Sequence, residues 1–189
     1  MSKEVVFSEF ELLEMGIKFE DEETYNSANC TGKNDEEMVV KVIEKKCRGT
    51  VVKKVVKPTG EGKIKVTMHC PWDVYTKMYG MNLDTLIDGV KGYGRNSRHK
   101  GFSVTQHVLD EDSNEKFKAY PNCVLEAGIK RSIENGAEEV AEIELEISVQ
   151  PDEYGQGLYE ALASELQDES VKTKWMTEFT PELVQVKSA

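Results

Sequence analysis

From Glu142 to Val149 the chain alternates without a break. Glu142, Glu144 and Glu146 carry carboxylates; Ile143, Leu145, Ile147 and Val149 are apolar. Successive side chains of a strand point to opposite faces, so this stretch predicts a strand with one apolar and one acidic face. Carboxylates two positions apart on a strand stand about 6.6 Å from each other, and each neighbouring pair repels by roughly 0.6 kcal/mol in water. Two readings are open. The acidic face is a solvated outer surface, or it is a wall that must stay negative.

The chain has 189 residues, of which 39% are hydrophobic, enough for one domain (1–189) with a real core. Its formal charge of −11 and pI near 4.9 argue against specific nucleic-acid binding and against docking on an anionic membrane. The charge is segregated. Glu20, Asp21, Glu22 and Glu23 form one acidic group and Asp35, Glu36 and Glu37 another; Lys41 to Lys65 is basic; the region from Glu134 onward is acidic again. That pattern is either ordinary surface variation or the mark of a molecule with a positive and a negative side, able to dock onto copies of itself. The N-terminal stretch MSKEVVFSEF lacks the pattern of a signal peptide, and no run is long enough to span a membrane. Cys30, Cys47, Cys70 and Cys123 are scattered without a CxxC, which reads as reduced thiols in a cytosolic product.

Taken in order, Leu13 to Phe19 alternates like a strand. Glu20–Glu37 is polar and almost free of aliphatic residues, and reads as a long arm between strands. Met38–Pro58 is dense in Val and Ile, which favours strands, with Gly49 at a turn or bulge and Thr59–Gly62 a turn. Lys63–Cys70 alternates again. Trp72, Tyr75, Met78 and Tyr79 recur at helical spacing before Gly80, the flanking helix of the fold, with Asn82–Gly89 as a possible further turn. Gly89–Gly101 is a basic glycine-rich loop that lacks the order of a phosphate-binding loop. Strands follow at Phe102–Val108, Lys116–Tyr120 and Asn122–Ile133. A three-residue loop around Gly136 would then set odd positions opposite odd, so that Leu125, Ala127 and Ile129 meet Ile147, Leu145 and Ile143 or their neighbours. Leu158, Leu162 and Leu166 are spaced for a short helix, and Val171, Thr173, Trp175 and Phe179 suggest a last strand or an extended tail. The fold class is mainly β, sandwich- or barrel-like.

No active site emerges. His69, His99 and His107 fall in different elements, and His69 and Cys70 point to opposite strand faces, wrong for shared zinc ligation. There is no nucleophile elbow, HExxH or EF-hand loop. Catalytic residues, cofactors and metals are all expected to be none.

Order and type of elements resemble the major tail (tail tube) protein of long-tailed bacteriophages. The resemblance rests on an N-terminal strand, the polar arm at Glu20–Glu37, the strands to Cys70, the helix PWDVYTKMYG, a strand entered through Tyr120-Pro121-Asn122, and an acidic-apolar strand running into PDEYGQGLYE. It departs from the shorter members in a C-terminal extension, residues 162–189.

The resemblance implies a sandwich-like β fold without enzymatic activity. It implies six copies closing a ring through a continuous inner barrel, and rings stacking into a tube that surrounds a tape-measure protein and later conducts double-stranded DNA. Tail terminator and baseplate proteins would be further partners, and the virion tail, assembled in the host cytoplasm, the location. The expected lumen-facing residues are Glu126, Glu142, Glu144 and Glu146, because an acidic bore repels DNA evenly and lets it slide. The expected inter-ring arm carries Glu20–Glu23 and Asp35–Glu37, facing a complementary basic surface of Lys45, Lys46, Arg48, Lys53 and Lys54. The alternatives are a tube subunit of a contractile injection system, a monomeric β-barrel binding a small apolar ligand, and a metal-dependent hydrolase built on His69, Cys70 and His107.

Overall fold

In the computed structural model, residues 6–28 and 31–186 are described; Cys30 and residues 187–189 of the C-terminal extension lie outside them. Eight strands form one antiparallel sheet: β1 (Glu11–Phe19), β2 (Asn26–Ala28), β3 (Thr31–Cys47), β4 (Thr50–Met68), β5 (Phe102–Leu109), β6 (Glu115–Leu125), β7 (Ile143–Val149) and β8 (Tyr159–Leu162). Their order is β2-β1-β5-β6-β7-β4-β3, with β8 attached to β6. The mainly-β expectation holds.

β6 pairs with two partners on one side. Its first half, Lys116–Ala119, takes β8; its second half, Cys123–Leu125, takes β7. A bulge at Pro121-Asn122 separates them, where Val104 pairs with Tyr120 but Phe102 with Cys123. Proline has no amide to donate, so it suits the place where the ladder is interrupted. The sheet curls on itself. β2 stands at one border and β3 at the other, yet β3 starts just after residues 29–30, which follow β2. Side chains bond across the interior: Gln106 of β5 donates to Asn34 of β3 over 3.3 Å, and Lys118 of β6 to Glu36 of β3 over 2.8 Å.

The apolar faces of the alternating strands fill the inside. Met15 and Ile17 of β1, Ile64, Val66 and Met68 of β4, and Leu145, Ile147 and Val149 of β7 are all buried in one cluster. The helix α1 (Trp72–Met78) closes this core with Tyr75 and Met78. Gly80 follows it with φ +62, and a Cβ there would stand 2.0 Å from the Arg98 carbonyl oxygen. Glycine is therefore required, both for the left-handed turn and for the close approach.

A second cluster lies on the outer face of β6. The helix α2 (Glu169–Glu178) buries Trp175, with Phe179 just beyond it, against Phe117 and Ala119. Asp168 caps the helix by accepting from the Ser170 amide at 2.8 Å.

Several expectations are corrected. Val171–Phe179 is mostly helix, not strand: Val171, Trp175 and Phe179 are four apart and share one helix face. Leu158–Leu166 is not helical, because Tyr159–Leu162 completes the ladder on β6. Among the described residues α2 is a second α-helix beside the flanking α1, and Asn82–Gly89 adds none. Thr59–Gly62 is no turn but a bulged part of β4, with Gly60 at φ +78. The loop between β7 and β8 crosses there so closely that a Cβ on Gly157 would lie 1.8 Å from the Gly60 carbonyl oxygen. The predicted odd-to-odd pairing is correct, since Leu125 faces Ile147. The tight loop is not: β6 ends at Leu125, and residues 126–142 are an irregular segment. Its side chains are drawn elsewhere, Lys130 to Glu144 and Glu146 and Arg131 to the Tyr75 hydroxyl.

Candidate assembly surfaces

Beyond Met38, β3 and β4 leave the rest of the sheet together. β7 pairs with β4 only over Gly62–Met68, so the part of the hairpin distal to Met38 and Gly62 is a two-stranded ribbon. It turns at Arg48-Gly49, both with positive φ. From Val40 to Cys47 it is roughly 25 Å long. Its pairs include Val42 with Val56, Ile43 with Val55, and Lys45 with Lys53. Both faces and both edges are open, and Val40, Val42, Ile43, Val51, Val52 and Val56 are all exposed. An isolated two-stranded hairpin is marginally stable in water, and natural sheets rarely leave long apolar edges uncovered.

The span predicted as a long arm, Glu20–Glu37, contains strand β2 and the start of β3. Glu20–Glu37 is not one free segment. Glu22 accepts from Asn26 at 2.7 Å and from Lys77 of α1 at 2.8 Å, and Asp21 also meets Lys77 at 2.8 Å. Glu20 and Glu23 belong to the same loop, where Glu20, Glu22 and Glu23 line an open groove with Lys18 and Phe179. Asp35, Glu36 and Glu37 lie in β3, paired with Lys65, Ile64 and Lys63. The polar run hid a strand because its inward positions, Asn34 and Glu36, find polar partners inside the curled sheet. The projecting element is instead the Val- and Lys-rich hairpin. Lys45, Lys46, Arg48, Lys53 and Lys54 gather at its tip.

The acidic strand is not a bare acidic wall within one subunit. Glu144 and Glu146 share the outward face of β7, but Lys65 reaches Glu144 at 3.1 Å, and Lys130 bridges Glu144 at 3.4 Å and Glu146. Glu126 pairs with Lys63 at 2.6 Å. The hydrogen bond from Lys65 holds the Glu144 carboxyl below its ordinary range, and the bond to Glu146 raises Lys130. Asp35 and Glu37 stand on the same face opposite those lysines, so the patch is striped, acid against base, with an acidic excess. Glu142 precedes the strand, its carboxylate against Gly32, where a Cβ would stand 2.2 Å from Oε2. Sequence reasoning missed the lysines because they come from β4 and from the irregular segment.

The histidines remain apart. His99 Nδ1 lies 2.8 Å from the Leu125 carbonyl oxygen, His107 packs against Phe117, and His69 is exposed beside Cys70. Burial pushes the Cys70 thiol up to about 12, away from thiolate chemistry. Among the described residues no group of three or more His, Cys, Asp or Glu is placed to hold a metal ion.

No protein-family model matches the chain. No curated protein matches it in sequence. Among solved structures it is similar to the anti-feeding prophage cap (AFP tube terminating cap), determined by cryo-EM, at a TM-score of 0.48 and 9% identity, over 86% of this chain and 97% of that one.

Proposed function

We propose that this chain is a structural, non-enzymatic subunit that self-assembles into a tube of the bacteriophage-tail type. The observation that carries the reading is the ribbon of β3 and β4, with exposed Val and Ile side chains and open at both edges. Such an element reaches its lowest free energy only when another chain covers it. Each apolar Å² removed from water contributes about 25 cal/mol, and edge pairing supplies the missing ladder bonds.

The rest of the reading follows the sequence resemblance. Copies close a ring, six in number, and rings stack. The striped face with Glu126, Glu144 and Glu146, together with Glu142, lines the bore. Its acidic excess, repeated around the ring, lets a tape-measure protein and then duplex DNA pass without sticking. Terminator and baseplate proteins finish the ends, within a virion tail or a related contractile particle. The alternative of a small-ligand barrel gains no support, because Met15, Ile17, Ile64, Val66 and Met68 fill the interior as a packed core.

Sedimentation and negative-stain microscopy of concentrated protein test the reading. Rings or hollow filaments are expected from the full chain. A variant with residues 41–57 replaced by a two-residue turn should keep its thermal unfolding and lose assembly. A full chain that stays monomeric at every concentration and salt overturns the proposal.

A further inference from the structure

The ribbon tip and the irregular segment before β7 lie at opposite ends of β4. Strand β4 has 19 residues, so about 60 Å separate its ends. At one end, the turn at Arg48-Gly49 carries the basic tip. At the other, Met68 pairs with Ile143, and the segment Ile133–Glu142 arrives beside His69.

The two surfaces are complementary. The tip is cationic and apolar. Lys45 and Lys53 face each other directly, which is unfavourable for like charges. Glu44 is the carboxylate near the tip, 4.0 Å from Lys46 and 3.9 Å from Lys54, and among the described residues Lys45, Arg48 and Lys53 are in no ion pair. Val52, 57% exposed, adds apolar surface. The segment is anionic and apolar. Ile133 is 90% and Val140 82% exposed. Among the described residues, Glu134, Glu138, Glu139 and Glu142 are in no ion pair, whereas the neighbouring Glu144 and Glu146 both are. An open cleft of about 600 Å³ runs along Glu139–Glu142 to His69.

We propose that the ribbon tip of one copy docks on segment Ile133–Glu142 of the next. This rests on the assembly reading and names its address. The ribbon points away from its own segment, so the contact joins different copies. Made head to tail, the contact is heterologous, and copies joined this way form a ring where the rotation closes and an open stack where it does not. The unpaired lysines meet the unpaired glutamates, and the exposed valines meet Ile133 and Val140. Charge pairing sets which end meets which, and apolar burial adds to the affinity.

Charge exchange tests the address. Lys45→Glu with Lys53→Glu, and separately Glu134→Lys with Glu138→Lys and Glu139→Lys, should each raise the concentration needed for assembly at least tenfold. The combined variant should return it to within a few-fold of the parent. All positions are exposed, and matching thermal melts verify that the variants fold. The second test uses Cys47, exposed next to the turn. Ala137→Cys should give interchain disulfides on mild oxidation of assembled protein, and Cys47→Ser should abolish them. If the parent assembles, but reversing the segment leaves assembly unchanged and no crosslink forms, the address is wrong and the assembly reading stands. If the parent never assembles, both fall.

Discussion

Lys118 Nζ lies 2.8 Å from Glu36 Oε2 inside the curled sheet, and only 2% of the lysine side chain meets solvent. Glu9 approaches the same ammonium at 2.7 Å. Lys118 belongs to β6 and Glu36 to β3 just before the ribbon, so this pair pins the root of the ribbon to the opposite wall. Buried ammonium groups are tolerated only with partners, and losing one partner leaves a charge stranded. Burial, followed by the Glu36 carboxylate, also holds the neighbouring Tyr120 phenol far above its ordinary value.

Glu36→Gln should lower unfolding free energy by about 1–3 kcal/mol, since Glu9 still serves Lys118. Lys118→Met should cost more, about 3–5 kcal/mol, because it leaves Glu9 and Glu36 without their shared cation. Urea unfolding measures both. Equal stability of both variants and the parent would show that the ribbon root is held by something else.

Glu9 gives a pH dependence with a definite sign. Partial burial raises its pKa, but the hydrogen bonds and charges of Lys118 and Lys116 outweigh that, and the net shift is downward from 4.5. The folded value is thus below the unfolded one. Its contribution is complete above about pH 4.5 and is lost as the pH falls through the depressed folded value. Hydrogen exchange at the Phe10 amide, which donates to the Leu109 carbonyl at 2.9 Å, should report the loosening. On acidification its protection should fall before that of β7, and Glu9→Gln should abolish that early step. Simultaneous loss at both places would contradict this.

How far the sequence carried the fold depended on where apolar periodicity existed. β7 and the second half of β4 bury one parity of side chains, so strand, facing and the match of Leu125 to Ile147 were readable. The aromatic spacing from Trp72 and the stop at Gly80 likewise gave α1. The ribbon was only half readable. Its valines announced strands, but Thr31–Glu37 is polar on both parities, with Asn34 and Glu36 inward and Asp35 and Glu37 outward, so periodicity was silent there. Helix α2 was missed although Asp168 before Glu169 is a capping signal and Val171, Trp175 and Phe179 fall at helical steps. The place of Lys45, Lys46, Arg48, Lys53 and Lys54 at a projecting tip follows from the register of β3 on β4. The lysines that pair with the acidic residues, Lys63, Lys65, Lys77 and Lys130, were not legible, because those ion pairs are a property of tertiary structure.

Trp175 decides whether the C-terminal extension belongs to the fold. It is buried between Phe117 and Phe179, and its indole N–H donates to the Lys118 carbonyl at 3.1 Å. Trp175→Ala should cost about 3–5 kcal/mol, as for a large core aromatic. Truncation after Leu166 should be comparably damaging, since it exposes Phe117 and Ala119. A truncated protein with an unchanged midpoint would show that α2 is a dispensable appendage.

The three glutamates at β7 should respond differently to charge reversal. On sequence alone they are equivalent members of a wet face, and replacing all three by Lys is expected to leave folding nearly intact. The structure separates them. Glu144→Lys with Glu146→Lys sets two new cations against Lys65 and Lys130, which now neutralise those positions. That variant should melt below the parent at low salt. It should recover toward the parent in 1 M salt, where the screening length is about 3 Å. Glu144→Gln with Glu146→Gln should lose less, because it removes attraction without adding repulsion. Glu142→Lys should leave the midpoint unchanged at both salts, since Glu142 has no cationic partner among the described residues. Differential scanning fluorimetry at the two salt concentrations distinguishes these outcomes. Identical midpoints for all three variants at low salt would mean that the stripe of acid and base contributes nothing to the subunit itself.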